Sequence, residues 1–346
     1  MKLSSLFLLG VVSCAAAATI VWSPQVSGTN SEFRGLSVVG ESVIWAAGRD
    51  GTYARSTDAG ASWRADSVPG AADLFFVDVH AVDSATAYLL GTHFDGGLAK
   101  IFKTMDGGSQ WIEQFSDSTA GVFFDGMAFW DADRGVAFSD PVDGSFLIVR
   151  TENGGSTWER VPPENIPPPL PGEAGFAASG TAITVFGTEH VWFGTGGGSV
   201  ARVFASRDGG RSWTVDETPI AGSGTAGIFG IAFRDTAHGL VVGGDYRRPG
   251  EFTDNVARTR DGGRTWSLVA SAQPAGVRYG AAYVQTATGA TLVAVGPAGW
   301  GYSADDGETW ISGDSLGFNT IAAGPSGLAW VAGVEGRISR LKFPVR

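Results

Sequence analysis

Cysteine is almost absent: Cys14 is the only one in 346 residues. An intrachain disulfide is therefore impossible, and no CxxC pair or zinc-type spacing exists. The four histidines, His80, His93, His190 and His238, stand singly. They read as isolated loop or strand residues, and no metal site is expected. Charge is sparse, at 17% of residues, with 35 acidic against 24 basic side chains and a net charge of −11. That balance argues against nucleic acid and against an anionic membrane surface as partners. No long stretch repeats apolar residues at the 3.6 period of a helix. No GxGxxG lies between a strand and a helix, so no dinucleotide and no other cofactor is expected.

What the chain has instead is glycine, 52 residues of it, and 12 tryptophans. Six of the tryptophans close copies of one motif, Ser/Thr-x-Asp/Asn-x-Gly-x-x-Trp. The copies are Ser56-Thr-Asp58-Ala-Gly60-Ala-Ser-Trp63, Thr104-Met-Asp106-Gly-Gly108-Ser-Gln-Trp111 and Thr151-Glu-Asn153-Gly-Gly155-Ser-Thr-Trp158. They continue with Ser206-Arg-Asp208-Gly-Gly210-Arg-Ser-Trp213, Thr259-Arg-Asp261-Gly-Gly263-Arg-Thr-Trp266 and Ser303-Ala-Asp305-Asp-Gly307-Glu-Thr-Trp310. Their tryptophans recur every 44 to 55 positions, a period of propellers and solenoids. Each box reads as a hairpin. The Asp or Asn accepts turn amides, the Gly supplies a positive φ and the Trp buries apolar surface as the next strand starts. Asp58, Asp106, Asn153, Asp208, Asp261 and Asp305 are therefore assigned structural roles.

Between boxes the chain repeats strand, turn, strand, as in Gly230-Ile-Ala-Phe-Arg-Asp235-Thr-Ala-His-Gly239-Leu-Val-Val-Gly243. Each unit supplies four strands, one propeller blade. Six boxes give six blades. Residues 318–343 hold three more strands, and the segment around Trp22 lacks a blade of its own. The expectation is an all-β, seven-bladed β-propeller over residues 19–346, closed by residues 19–25 pairing with residues 337–341, and a monomer. Residues 1–18 read as an export signal: Lys2, an apolar run over 3–12 too short to span a bilayer, and Ala16-Ala-Ala18 for cleavage. The expected location is periplasmic or secreted. Val11-Val-Ser-Cys14 also resembles a bacterial lipobox, which leaves a lipid anchor at Cys14 as the alternative.

The long insertions fall in loops that one face of such a disc shares. They are residues 92–97, 139–144, 195–199 and 244–254 and the Pro-rich 161–175. Long loops on a rigid scaffold are where binding resides. The starts of the inner strands add polar groups near the axis: Arg34, Asp78, Asp125, Arg278 and Tyr279. With Asp245 and Tyr246 these are the candidate binding residues. They either converge in a solvated funnel, with the arginines free to hold an acidic ligand group, or bond to one another and fill the channel.

The boxes resemble those of the BNR/Asp-box superfamily, which includes sialidases, other glycoside hydrolases and photosystem II assembly factors. The phrase Phe233-Arg-Asp235-Thr-Ala-His-Gly239-Leu-Val-Val-Gly-Gly244 is most similar to the photosystem II stability/assembly factor branch. That resemblance implies a propeller without catalysis, which binds a protein partner or a small polar or carbohydrate ligand. The sialidase resemblance implies an exo-acting glycoside hydrolase instead. It calls for three arginines around a carboxylate, a Tyr–Glu pair and an acid/base Asp. Phe33-Arg34-Gly35-Leu36 lacks the Ile and Pro of the sialidase motif, and the catalytic residues remain unassigned.

Overall fold

The box hairpins form as their chemistry dictates. Ser56 Oγ donates to Asp58 Oδ1 at 2.9 Å and accepts the Gly60 N–H at 2.9 Å. Asp58 then accepts the Ser62 N–H at 2.8 Å and the Ser62 hydroxyl at 2.6 Å. Gly60 sits at φ +87°, where a Cβ would lie 2.3 Å from the Trp330 ring. Only glycine fits there, for conformation and for space.

The computed structural model describes residues 20–251, 254–269, 276–286 and 289–343. The proposed signal and Cys14 lie outside these residues. The described strands form seven four-stranded antiparallel sheets. Their innermost strands are Phe33–Val39, Leu74–Ala81, Phe124–Phe129, Ile183–Phe186, Ala226–Phe233, Gly280–Thr286 and Thr320–Ala323 for blades one to seven. Blade seven takes its outermost strand from the other chain end. Val21–Val26 pairs antiparallel with Arg337–Lys342, from Val21 opposite Lys342 to Val26 opposite Arg337. This closure protects an edge that would otherwise be open. Box tryptophans pack between blades: Trp63 lies edge-on to Trp330 of blade seven, and Trp111 to Trp45 and Tyr53 of blade one. Trp22 does the same for the closing strand, with its ring 4.7 Å from that of Trp300.

Antiparallel pairing places the box hairpins on one face and the starts of the inner strands on the other. One insertion differs from its expected form. Residues 139–144 are no open loop, because the hairpin of Gly135–Val142 with Ser145–Thr151 continues through Pro141 opposite Phe146.

Blades one, two, three and five share a further device, a β-bulge near the start of the inner strand. The register skips one residue each time: Arg34, Val77, Asp125 and Phe229. A bulge re-aims the extra side chain and increases local twist. Three of these four side chains line the same cavity.

Candidate functional site

The cavity opens on the loop-rich face, over the axis, with a volume of about 320 Å³. Arg34 reaches it from blade one, Phe75 and Phe94 from blade two, and Phe123, Asp125 and Asp140 from blade three. Phe229 and Tyr246 come from blade five and Tyr279 from blade six. The floor is a single segment, Gly175 to Ala178, that enters after the Pro-rich insertion.

That segment closes the channel. Residues 175–181 run across the axis and bond to most of the ring. The Gly180 N–H donates to Arg34 O of blade one, and the Ile231 N–H of blade five donates to Thr181 O. The Ala281 N–H of blade six donates to Thr181 Oγ1 at 3.3 Å, and Ser179 Oγ donates to Thr320 Oγ1 of blade seven at 3.1 Å. Apart from Phe176, which lines the pocket, the segment is built of small residues packed closely against the ring. A Cβ on Gly180 would lie 2.4 Å from Asp78 Oδ1. The stem of this plug is anchored by a buried ion pair. Glu173 accepts Arg202 Nε at 2.9 Å, the Thr195 hydroxyl at 2.6 Å and the Leu170 N–H at 2.8 Å. The floor is thus fixed, and the axis carries a pocket closed at its base, between the two expectations of a solvated funnel and a filled channel.

Of the candidate residues, Arg34, Asp125, Tyr246 and Tyr279 share this cavity. The other three do not line it. Asp78 falls one position past its bulge, in the layer where blades one, three and five carry Gly35, Gly126 and Gly230. It is buried beneath the plug, accepting the N–H groups of Val79 and Met127 at 2.8 and 2.9 Å. Burial pushes its carboxyl up to about 8. Arg278 is 2% exposed and donates Nη1 to Val277 O at 3.1 Å. Burial lowers its guanidinium to about 10. Asp245 bonds to Arg248 Nη2 at 2.9 Å and to the Arg247 N–H at 2.9 Å, which shapes the loop that carries Tyr246.

Arg34 is also differently engaged than an anion clamp requires. Its Nε and Nη2 both donate to Glu32 Oε1, and Nη1 donates to the carbonyls of Ala177 and Ala178 at 3.3 Å. The guanidinium lies over the Phe75 and Tyr279 rings, 5.6 and 5.7 Å from their centroids.

Asp140 and Glu173 are the residues that sequence reasoning missed. Asp140 hydrogen-bonds to Asp125 and accepts the Gly175 N–H at 2.7 Å. Burial, and then the neighbouring Asp140 charge, push Asp125 well above the carboxylate range. Burial takes Asp140 up to about 6. The two carboxyls therefore titrate as a pair, and the pair keeps a proton above the ordinary carboxylate range. Among the described residues no group of three or more His, Cys, Asp or Glu could hold a metal ion, and no helix is long and apolar enough to cross a membrane.

No protein-family model matches the chain, and no curated protein matches it. Solved structures share the fold. YCF48 bound to D1 peptide superposes with a TM-score of 0.66 at 14% identity, covering 93% of this chain and 97% of that one. YCF48 from Cyanidioschyzon merolae gives 0.65 at 16% identity, covering 94% and 99%. The GH74 xyloglucanase from Xanthomonas campestris gives 0.62 at 16% identity, covering 93% of this chain and 53% of the enzyme. At these identities the likeness establishes the seven-bladed architecture, shared by a binding protein and a glycoside hydrolase.

Proposed function

We propose that the chain is an exported binding propeller without catalytic activity, which engages a segment of a protein partner in the pocket on its loop-rich face. The observation that carries this reading is the pocket's composition: aromatic walls, a rigid floor and a rim that includes Phe94 and Tyr246, 60% and 41% exposed. Exposed aromatics at a pocket mouth are typical anchors of protein recognition. A propeller of the same architecture is bound to a peptide. Export rests on the signal-like residues 1–18, with lipidation of Cys14 as the alternative.

The second reading is an exo-acting glycoside hydrolase, favoured by the GH74 fold likeness. Glycosidases generally hold two carboxyls about 5 Å apart or more. Asp125 and Asp140 touch directly, and among the described residues no third side chain lining the pocket is a carboxylate. Among the described residues, the lining holds no arginine besides Arg34, where a sialidase would add two. A panel of chromogenic sialosides and glycosides should show no turnover above background. Turnover abolished by Arg34→Ala would overturn the binding reading. In parallel, the wild-type protein should retain a polypeptide from the source's envelope fraction that the Phe94→Ala/Tyr246→Ala variant loses.

A further inference from the structure

Hydrogen-bond supply and demand in the pocket are unequal. Four of the five Arg34 N–H groups have acceptors, from Glu32 and the floor carbonyls. Arg49, the next cation, gives its Nε to Glu32 at 2.8 Å and lies over the Phe75 and Phe94 rings. The pocket's positive charge is therefore already met. Its negative charge is not. Asp125 is 1% exposed and lines the cavity, and its Oδ2 has no hydrogen-bond partner. Asp140 lies beside it, half-buried, with one oxygen on the Gly175 N–H. A buried acceptor left unpaired costs free energy that a donor from outside would recover. The opposite wall supplies π faces: Phe176, Phe229 and Tyr279 form a tilted and edge-to-face cluster, with centroids 4.5 and 5.5 Å apart. Aromatic faces next to a carboxylate attract cations.

We propose that the pocket takes a basic side chain, lysine or arginine, from an extended segment of a protein partner, with its cationic head on Asp140 and Asp125 and its stem along the aromatic wall. This rests on the reading of the chain as a protein-binding propeller and names the chemistry that the partner must present. A net charge of −11 acts in the same direction, since it attracts basic segments before contact. An acidic segment would meet a carboxylate pair and an arginine whose fork is already occupied.

The test is selection of random displayed peptides on the full-length protein near neutral pH, with two variants alongside. Asp125→Asn/Asp140→Asn removes the charge. Phe94→Ala/Tyr246→Ala removes the rim. Both are first shown to unfold cooperatively, as wild type does. Wild type should enrich lysine or arginine at one fixed position about tenfold or more over the starting library. The double Asn variant should lose that preference. Enrichment of acidic residues, or of peptides that need Phe94 and Tyr246 but carry no basic residue, overturns this inference and leaves the binding reading in place. Absence of any peptide that depends on the rim overturns both.

Discussion

Arg34 gives two N–H groups to one oxygen of Glu32, Nε at 2.9 Å and Nη2 at 2.7 Å. The other Glu32 oxygen holds Arg49 at 2.8 Å, and Asn319 Nδ2 donates to the first at 3.3 Å. Burial opposes ionisation of Glu32, yet the two arginines hold its carboxyl below the ordinary range. Glu32 therefore decides where Arg34 points. Glu32→Ala leaves two cations facing each other without a counter-charge. Because the group is partly exposed, the expected loss is about 2 kcal/mol, below that of a fully buried pair. Urea unfolding measures it, and a change under about 0.5 kcal/mol would make the pair a surface contact only.

Glu173 anchors the stem of the plug. Glu173→Gln uncouples Arg202 and leaves it short of an acceptor in a buried site. The expected destabilisation is about 3 kcal/mol. A local sign should come first: hydrogen exchange at the Gly180 amide, which donates to Arg34 O, should accelerate before global unfolding does. Equal acceleration across all blades would contradict an anchoring role.

The boxes differ at one position in a way that can be read out. Asp208 accepts both the N–H and the hydroxyl of Ser212, at 3.0 and 2.6 Å. Asn153 accepts the Thr157 N–H at 2.9 Å and donates its amide to Thr157 Oγ1 at 2.9 Å. Either arrangement satisfies the turn. Asn153→Asp should thus change stability by less than about 0.5 kcal/mol, while Asp208→Ala should cost about 1–2 kcal/mol, as loss of a capping group does. Thermal unfolding of both variants tests this, and a large cost for Asn153→Asp would contradict it.

Burial of acids also sets a pH dependence. Asp78 is pushed up to about 8, Asp140 up to about 6, and Asp125 well above its ordinary value. A carboxyl with a folded pKa above its unfolded one contributes stability that is complete below about pH 4 and lost as pH rises through the folded value. His80 acts oppositely. Burial lowers its imidazole to about 4, so its contribution is present above about pH 6.5 and lost on acidification. From pH 7.5 to 8.5 the carboxyl effect dominates, and stability to urea should fall, by at most about 1.4 kcal/mol per pH unit for each group. Asp125→Asn should fall less steeply. Stability that rises over this window would contradict the assignment.

How much of this the sequence reveals depends on the range of the interactions. The box depends on contacts four residues apart, Ser56 to Gly60 and Asp58 to Ser62, so six hairpins and the blade count were legible. Closure was legible too, because three strands without a fourth need a partner. The site was half legible. Asp78 and Asp125 both open inner strands near a phenylalanine, but one is the bulged residue and the other lies just past a bulge. That difference is set by register against the second strand, which local pattern does not encode. The plug depends on contacts such as Ser179 to Thr320, 141 residues apart. Asp140 was hidden in a hairpin that reads as a loop.

Phe94 on the loop-rich face and Met105 in a box on the opposite face are almost equally exposed, at 60% and 58%. A photo-crosslinking residue at each position compares the two faces directly. The probe at 94 should capture a polypeptide from the native envelope fraction, Tyr246→Ala should abolish the adduct, and the probe at 105 should capture none. An adduct from 105 alone, or one at 94 indifferent to Tyr246→Ala, would contradict binding in this pocket.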